Sequence, residues 1–257
     1  MSTITKEQNG GILNITLNRP ESLNAFNAAM LMELQEAFKE ALSDDVRCVT
    51  ITGSGKGFCS GQDLKDFESE KKTFKEAIET RYNPLIMQIM NLPKPVICGI
   101  NGVAAGAGLS LALACDFRIA LESAQLIEVF VSVGLVPDSA SSFTLPRIVG
   151  LTKAFQMCST AERITGAEAK RLGIVNVCVQ TPEVLRAALD KYSKKFAKMP
   201  TGAVGMIKEL VNNSYSRSLA EVLAAEAAAQ DIAGNSNDYK EGVNSFLEKR
   251  KPIFKGN

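Results

Sequence analysis

The chain of 257 residues contains no histidine and no tryptophan. Without histidine there is no Ser-His-Asp triad, no Cys-His pair and no imidazole-ligated metal. Acid–base chemistry near neutral pH then falls to a carboxylate, lysine, tyrosine or cysteine whose surroundings shift its pKa. An excess of one charge is also missing. Lys and Arg number 29 against 28 Asp and Glu, a net of +1, so no electrostatic footprint for nucleic acid or an anionic membrane follows. An anionic ligand would be held by a few local lysines and backbone N–H groups. The six cysteines, Cys48, Cys59, Cys98, Cys115, Cys158 and Cys178, form no C-x-x-C pair. Most lie in apolar runs such as Pro95-Val96-Ile97-Cys98 and read as buried free thiols of a reducing cytosol. The opening Met1-Ser2-Thr3-Ile4-Thr5-Lys6 has neither a basic n-region nor an apolar h-region, so no secretory signal and a cytoplasmic location are expected. Val96 to Ala114, the longest apolar stretch, is interrupted by Gly, Asn and Ser and reads as core rather than membrane span.

What is present is ordinary for a globular protein: 46% hydrophobic and 22% charged residues, enough for a sizeable core. The length suits one large domain, or one domain with a small appendage. Gly11 to Leu17 alternates and reads as a strand. A helix is expected from Ser22-Leu23-Asn24-Ala25-Phe26 to about Leu42. Val46 to Thr52 and Val96 to Ile100 read as buried strands, Phe117 to Ala120 as a short one, and 174–179 as another. A charged segment over 65–80, with Glu68, Glu70, Lys71 and Lys72, reads as solvated and leads into a helix over 74–91, stopped by Pro93-Lys94-Pro95. Ala104 to Ala114 reads as a small-residue helix. Further helices are expected at 154–160, 166–172, 184–198, 202–213 and 219–230. Alternating strands and helices over the first ~180 residues argue for an α/β fold with parallel pairing, and the remainder for a helical C-terminal region.

Three stretches could carry chemistry. Gly53-Ser54-Gly55-Lys56-Gly57 lacks the spacing and the Ser/Thr of a P-loop and reads as a turn. Gly102-Val103-Ala104-Ala105-Gly106-Ala107-Gly108 follows a strand and opens a helix, but its glycine spacing is not that of a dinucleotide fingerprint. It offers an unhindered helix N-terminus whose N–H groups lack partners; tight helix packing is the plainer explanation. Phe58-Cys59-Ser60-Gly61-Gln62-Asp63-Leu64 is a second loop with backbone donors. Two loops that each follow a parallel strand lie at one end of a sheet, where one N–H from each can hold an oxyanion. Gly134-Leu135-Val136-Pro137-Asp138-Ser139 places an acid in an apolar turn, as a helix N-cap or as a functional carboxyl. Glu128 is expected at the surface or an interface, and Asp116 as a structural carboxylate for nearby backbone donors.

Together these pieces resemble the crotonase (enoyl-CoA hydratase/isomerase) family along essentially the whole chain. The matching stretches are ITLNRPESLNA (Ile15 to Ala25), FCSGQDL (Phe58 to Leu64), PKPVICGINGVAAGAGLSLALACD (Pro93 to Asp116), GLVPDSASSFTLPRIVG (Gly134 to Gly150) and YKEGVNSFLEKRKPIFKG (Tyr239 to Gly256). The resemblance implies an α/β fold, a crotonase-like ββα spiral over residues 1–198, with a helical trimerisation region over 199–257. It implies assembly as a homotrimer or as paired trimers in a hexamer. It also implies that the backbone N–H groups of Gln62 and Ala107 bind a thioester oxygen. Ser60, Gly61, Asp63, Leu64, Gly106 and Phe130 would line the acyl-CoA site, and Phe246 and Lys249 would meet its adenosine end, across a subunit boundary or within the chain.

The sequence departs from the family's hydratases at the two positions where those carry glutamates. Here they correspond to Ser110 and Phe130, neither of which can act as acid or base toward water. The residue after Pro137, often Gly in hydratases, is Asp138. An acid there resembles the enoyl-CoA isomerases and the ring 1,2-epoxyphenylacetyl-CoA isomerase subgroup, with which FCSGQDL, Tyr82-Asn83-Pro84-Leu85 and DYKEGVNSFLEKR also agree. The implied activity is an isomerase of acyl-CoA thioesters in which Asp138 moves a proton. No metal or further cofactor is implied, since coenzyme A is part of the substrate. The alternatives are an enoyl-CoA hydratase and a non-catalytic acyl-CoA-binding protein.

Overall fold

The computed structural model describes residues 2–69 and 73–257. Strand β1 (Ile4–Asn9) forms an antiparallel hairpin with β2 (Ile12–Leu17) across Gly10-Gly11. From β2 onward the chain repeats one motif. β3 (Cys48–Gly53) joins a large sheet and β4 (Gly57–Cys59) crosses to a small one. β5 (Val96–Ile100) and β6 (Val103–Ala105) repeat the step, then β7 (Phe117–Leu121) and β8 (Gln125–Ile127). The large sheet runs β1-β2-β3-β5-β7-β10, with β10 at Val177–Val179, and is parallel from β2 on. The small sheet runs β4-β6-β8-β9, with β9 at Ile164–Thr165. Each turn of this ββα spiral thus lays one strand in each sheet. The central strands β3 and β5 of the large sheet are rich in β-branched and apolar residues because both faces are covered; β5 is buried at every residue.

Helices close the turns: α1 (Ala28–Glu40), α2 (Leu64–Ser69), α3 (Phe74–Ala77), α4 (Asn83–Asn91), α5 (Ala107–Ala114) and α6 (Ser141–Thr160). α7 (Gly166–Arg171) and α8 (Pro182–Ala197) complete the core, and α9 (Thr201–Asn213), α10 (Leu219–Gly234) and α11 (Asn237–Leu247) form the C-terminal region. Arg47 ties that region to the sheet, donating from Nε to Thr201 Oγ1 at 2.8 Å and from Nη1 to the Phe254 carbonyl at 2.8 Å. A second tie joins Lys208 Nζ of α9 to Asp116 Oδ2 at 2.8 Å. Asp116 also accepts the Val96 N–H at 2.8 Å, the structural role expected of it.

Several expected boundaries move. β1 was not foreseen, because its residues other than Ile4 face solvent and carry no burial pattern. The helix expected from Ser22 begins only at Ala28, capped by Asn27 Oδ1 on the Met30 N–H at 2.9 Å. Leu23 and Asn24 are left-handed, at φ 51° and 58°. The Asn24 amide there accepts from Arg19 N and donates to the Ser54 and Gly57 carbonyls, all at 2.9 Å. The helix expected over 74–91 is α3 and α4 joined through one π-helical turn, Ile78–Tyr82. Ala104 and Ala105 belong to β6, and α5 starts at Ala107. α6 extends far ahead of Ala154 and bends where Gly150 leaves helical geometry (φ 78°, ψ 162°). Within the charged segment, Leu64–Ser69 is helical, whereas Glu70, Lys71 and Lys72 lie outside the described residues. The cysteines are free, as expected.

Candidate active site

The first loop leaves β4 at Cys59 and is fastened to the segment before α1. Ser60 N–H donates to the Leu23 carbonyl at 3.0 Å, Phe26 N–H to the Gly61 carbonyl at 2.7 Å and Asp63 N–H to the Phe26 carbonyl at 2.9 Å. Among the described residues, the N–H of Gln62, between these anchors, has no main-chain acceptor. The side chains of Ser60 and Asp63 face the scaffold. Ser60 Oγ donates to the Ser22 carbonyl at 3.1 Å, and Asp63 pairs with Arg19 Nη2 at 2.9 Å. Burial acts to raise the Asp63 pKa, but the Arg19 hydrogen bond and charge outweigh it and hold it below the usual carboxylate value. These two residues therefore shape the loop through their side chains. Leu64, the first residue of α2, is exposed.

The second loop ends β6 and opens α5. Gly106 donates its N–H to the Ile127 carbonyl at 2.9 Å, and Ala107, as first residue of the helix, has an N–H without an intrahelical acceptor. Two glycines set the closeness of the loops. A Cβ on Gly61 (φ +93°) would stand 2.8 Å from the Ala105 carbonyl oxygen and 3.7 Å from Ala107 N. A Cβ on Gly108 would stand 2.3 Å from the Cys59 carbonyl oxygen. The backbones of Gln62 and Ala107 are thus held side by side by the absence of side chains. Phe130 is buried, with its ring edge 3.7 Å from where a Gly106 Cβ would be, so it packs against the start of α5.

Asp138 stands on a strained turn packed against the same helix. Ser139 and Ala140 are both left-handed, at φ 50° and 68°, a conformation that costs a non-glycine residue about 1–2 kcal/mol. The Asp138 carbonyl accepts two hydrogen bonds that hold the turn, from Ser141 N–H at 3.0 Å and from Ser110 Oγ at 3.2 Å. Ser110 lies one turn along α5 from Ala107, which brings the Asp138 turn to the helix that opens with the Ala107 N–H. The N-cap reading of Asp138 does not hold: Ala140 occupies the cap position of α6, with no side-chain cap. The Asp138 carboxyl instead accepts from Ser139 Oγ at 2.8 Å. Burial raises its pKa, and the Ser139 bond only partly offsets this. Buried Tyr82, whose own pKa is pushed up by burial and then by Asp138, lies close enough to feel its charge.

Glu128 is the main departure from expectation. It is 0% exposed, not a surface residue. It stands just after β8, and its Oε1 accepts from Ser141 Oγ at 2.8 Å. Ser141 Oγ is 2.9 Å from Ser110 Oγ. The other Glu128 oxygen is buried with no hydrogen-bond partner among the described residues. Burial pushes its pKa up to about 7, the Ser141 bond lowers it, and the Asp138 charge raises it further. A lone acid in the apolar run Gln125-Leu126-Ile127-Glu128-Val129-Phe130-Val131 was the available signal, because charged residues are rarely fully buried without a partner. Ser141 carried no signal in the sequence.

Phe246 lies on α11, 82% exposed. It lines a C-terminal cleft of about 640 Å³ with Met206, Ile232, Tyr239 and Phe254, among others, a cleft lined by none of Gln62, Ala107 and Asp138. Lys249 follows α11 in a left-handed conformation (φ 54°). A second cleft, about 760 Å³, runs past Ile86, Met87, Met90, Ala140 and Phe143, beside the Asp138 turn in sequence but likewise not lined by those three. Among the described residues, no group of three His, Cys, Asp or Glu side chains could hold a metal ion. No helix among them is long and apolar enough to cross a membrane.

Residues 7–257 match the family model described as enoyl-CoA hydratase/isomerase. The chain belongs to the enoyl-CoA hydratase/isomerase family. Within that family it is 39% identical to the 1,2-epoxyphenylacetyl-CoA isomerase of Escherichia coli (strain K12), over 100% of this chain and 99% of that one. It is 34% identical to the trans-2-decenoyl-[acyl-carrier-protein] isomerase of Streptococcus mutans, over 96% and 95%. A crystal structure of an enoyl-CoA hydratase from Bacillus anthracis superposes with a TM-score of 0.94 at 32% identity, covering 99% and 100%. Crotonase-family structures thus share the ββα spiral and the helical C-terminal region described above, and the family acts on acyl-CoA thioesters.

Proposed function

We propose that this chain is an isomerase of acyl-CoA thioesters that shifts a double bond, or opens a ring epoxide, by moving one proton with Asp138. The observation that carries this reading is the raised carboxyl of Asp138 on a turn bonded to α5, the helix whose first N–H is that of Ala107. In this mechanism the N–H groups of Gln62 and Ala107 donate to the thioester carbonyl oxygen. Asp138 takes a proton from the carbon α or γ to that carbonyl, and negative charge passes to the oxygen as an enolate. The same carboxyl returns the proton to another carbon on the same face. Donors aimed at the developing oxyanion supply much of the rate, and a half-buried, more basic carboxylate supplies more. Ser60, Gly61, Asp63, Leu64, Gly106 and Phe130 form the surrounding wall in this reading, with Phe246 and Lys249 toward the adenosine end. The reaction requires no metal and no cofactor besides the coenzyme A of the substrate.

The test is Asp138→Asn assayed with trans-3-hexenoyl-CoA. A loss of about 10²–10⁴-fold in turnover with unchanged binding of the thioester is expected; near-full turnover overturns the reading. Hydration is the second reading, and relatives carry hydratase names. The buried Glu128 supplies a second carboxyl, but one sealed behind Ser141 rather than presented to a water. Loss of the conjugated absorbance of crotonyl-CoA measures that activity directly. The assembly we infer is a homotrimer or two paired trimers in the cytoplasm. Exposed Leu219, Leu223 and Ile232 of α10 are an apolar surface that a neighbouring subunit would cover, and sedimentation of the purified chain tests it.

A further inference from the structure

A fully buried carboxyl with no cation paired to it among the described residues calls for an explanation. Among the described residues, Glu128 has one oxygen on Ser141, the other without a hydrogen-bond partner, and no ion pair. Its hydrogen-bonded chain does not end in the core. It passes through Ser141 to Ser110, whose single hydroxyl proton faces both Ser141 Oγ at 2.9 Å and the Asp138 carbonyl at 3.2 Å, and the Ser141 N–H donates to that same carbonyl. The strained turn that carries the proposed base is therefore fastened by the two hydroxyl residues that lead to Glu128.

We propose that Glu128 is a positioning residue for Asp138: through Ser141 and Ser110 it holds the Asp138 turn, and its own charge sets how basic the Asp138 carboxyl is. This deepens the isomerase reading and rests on it. Burial leaves Glu128 protonated below neutrality, so it is a neutral neighbour there. Above neutrality it gives up its proton to solvent, and the buried Glu128 and half-buried Asp138 carboxylates then oppose each other. Their repulsion favours moving negative charge off Asp138 and onto the thioester oxygen, so turnover rises. Other groups facing the pair stay neutral over this range. The Cys158 thiol of α6 is pushed up to about 11 by burial and then by Glu128, and Tyr82, which faces Asp138, is pushed higher still.

The experiment is the pH profile of kcat/KM for trans-3-hexenoyl-CoA with the full chain, its Glu128→Gln and its Ser141→Ala variants. The parent is expected to show a rise centred near pH 7, where Glu128 titrates. Glu128→Gln turns over without that rise. Ser141→Ala moves it to higher pH, because the Ser141 bond favours the ionised form. A readout that needs no substrate is carboxyl ¹³C NMR, with the resonance assigned by its loss in Glu128→Gln. The midpoint near pH 7 should fall in Asp138→Asn, where the neighbouring charge is gone. A Glu128→Gln profile that superimposes on the parent's overturns the inference, as does a Glu128 resonance that ignores Asp138→Asn. A Glu128 that serves only the fold gives that superimposed profile whatever the variant does to Tm. Full turnover by Asp138→Asn sinks the isomerase reading itself, whatever Glu128→Gln does.

Discussion

The hydroxyl oxygens of Ser110 and Ser141 lie 2.9 Å apart, joining the helix of the second loop to the first turn of the kinked helix that follows Asp138. Ser141→Ala breaks this link and leaves the Glu128 carboxyl without a hydrogen-bond partner among the described residues. An unsatisfied buried acceptor costs about 1–3 kcal/mol, and urea unfolding near pH 7 measures it. Ser110→Ala should cost less, because it removes one of two donors to the Asp138 carbonyl and strands no carboxyl.

Glu128 also makes stability depend on pH. Its pKa is raised from 4.5 to about 7 in the folded chain, so between those values the native state holds a proton that the unfolded chain has released. Stability is undiminished below about pH 4.5 and falls as pH rises toward 7. Relative to the parent, Glu128→Gln should gain as much as about 3 kcal/mol between pH 4.5 and 8. Unfolding curves for both proteins at several pH values test the slope.

Gly61→Ala should separate folding from activity. The added methyl meets the Ala105 carbonyl oxygen at 2.8 Å, on a backbone at φ +93°. The loop must retreat, and the Gln62 N–H with it. Losing one oxyanion donor lowers turnover about 10²–10³-fold, whereas the strain should cost about 1–3 kcal/mol of stability. Single-turnover assays beside thermal unfolding distinguish the two.

Lys208→Met should destabilise by about 3 kcal/mol, because it removes the buried cation paired with the half-buried Asp116 and leaves that carboxylate with the Val96 N–H as its remaining hydrogen bond among the described residues. Asp116 keeps some solvent contact, which places the expected loss at the low end for a broken buried pair. Adding Asp116→Asn should recover part of the loss, which a double-mutant cycle reads directly.

The isolated features legible in the chain were those set by neighbouring residues. Absence of histidine leaves acid–base chemistry to carboxylate, lysine, tyrosine or cysteine side chains wherever the chain goes. The apolar strands Cys48–Gly53 and Val96–Ile100 announce a buried parallel sheet through composition alone. Glycines at 61 and 108 mark backbone that must approach other backbone, since only a missing Cβ allows it. Whether Asp138 caps a helix, and whether Glu128 faces water, depended on contacts between segments 13 to 31 residues apart in sequence. Local pattern does not encode such distances. Burial is a property of the assembled fold, and a carboxyl acquires its pKa, its partner and its companion carboxyl only when the helix after the second loop and the helix after Asp138 pack together.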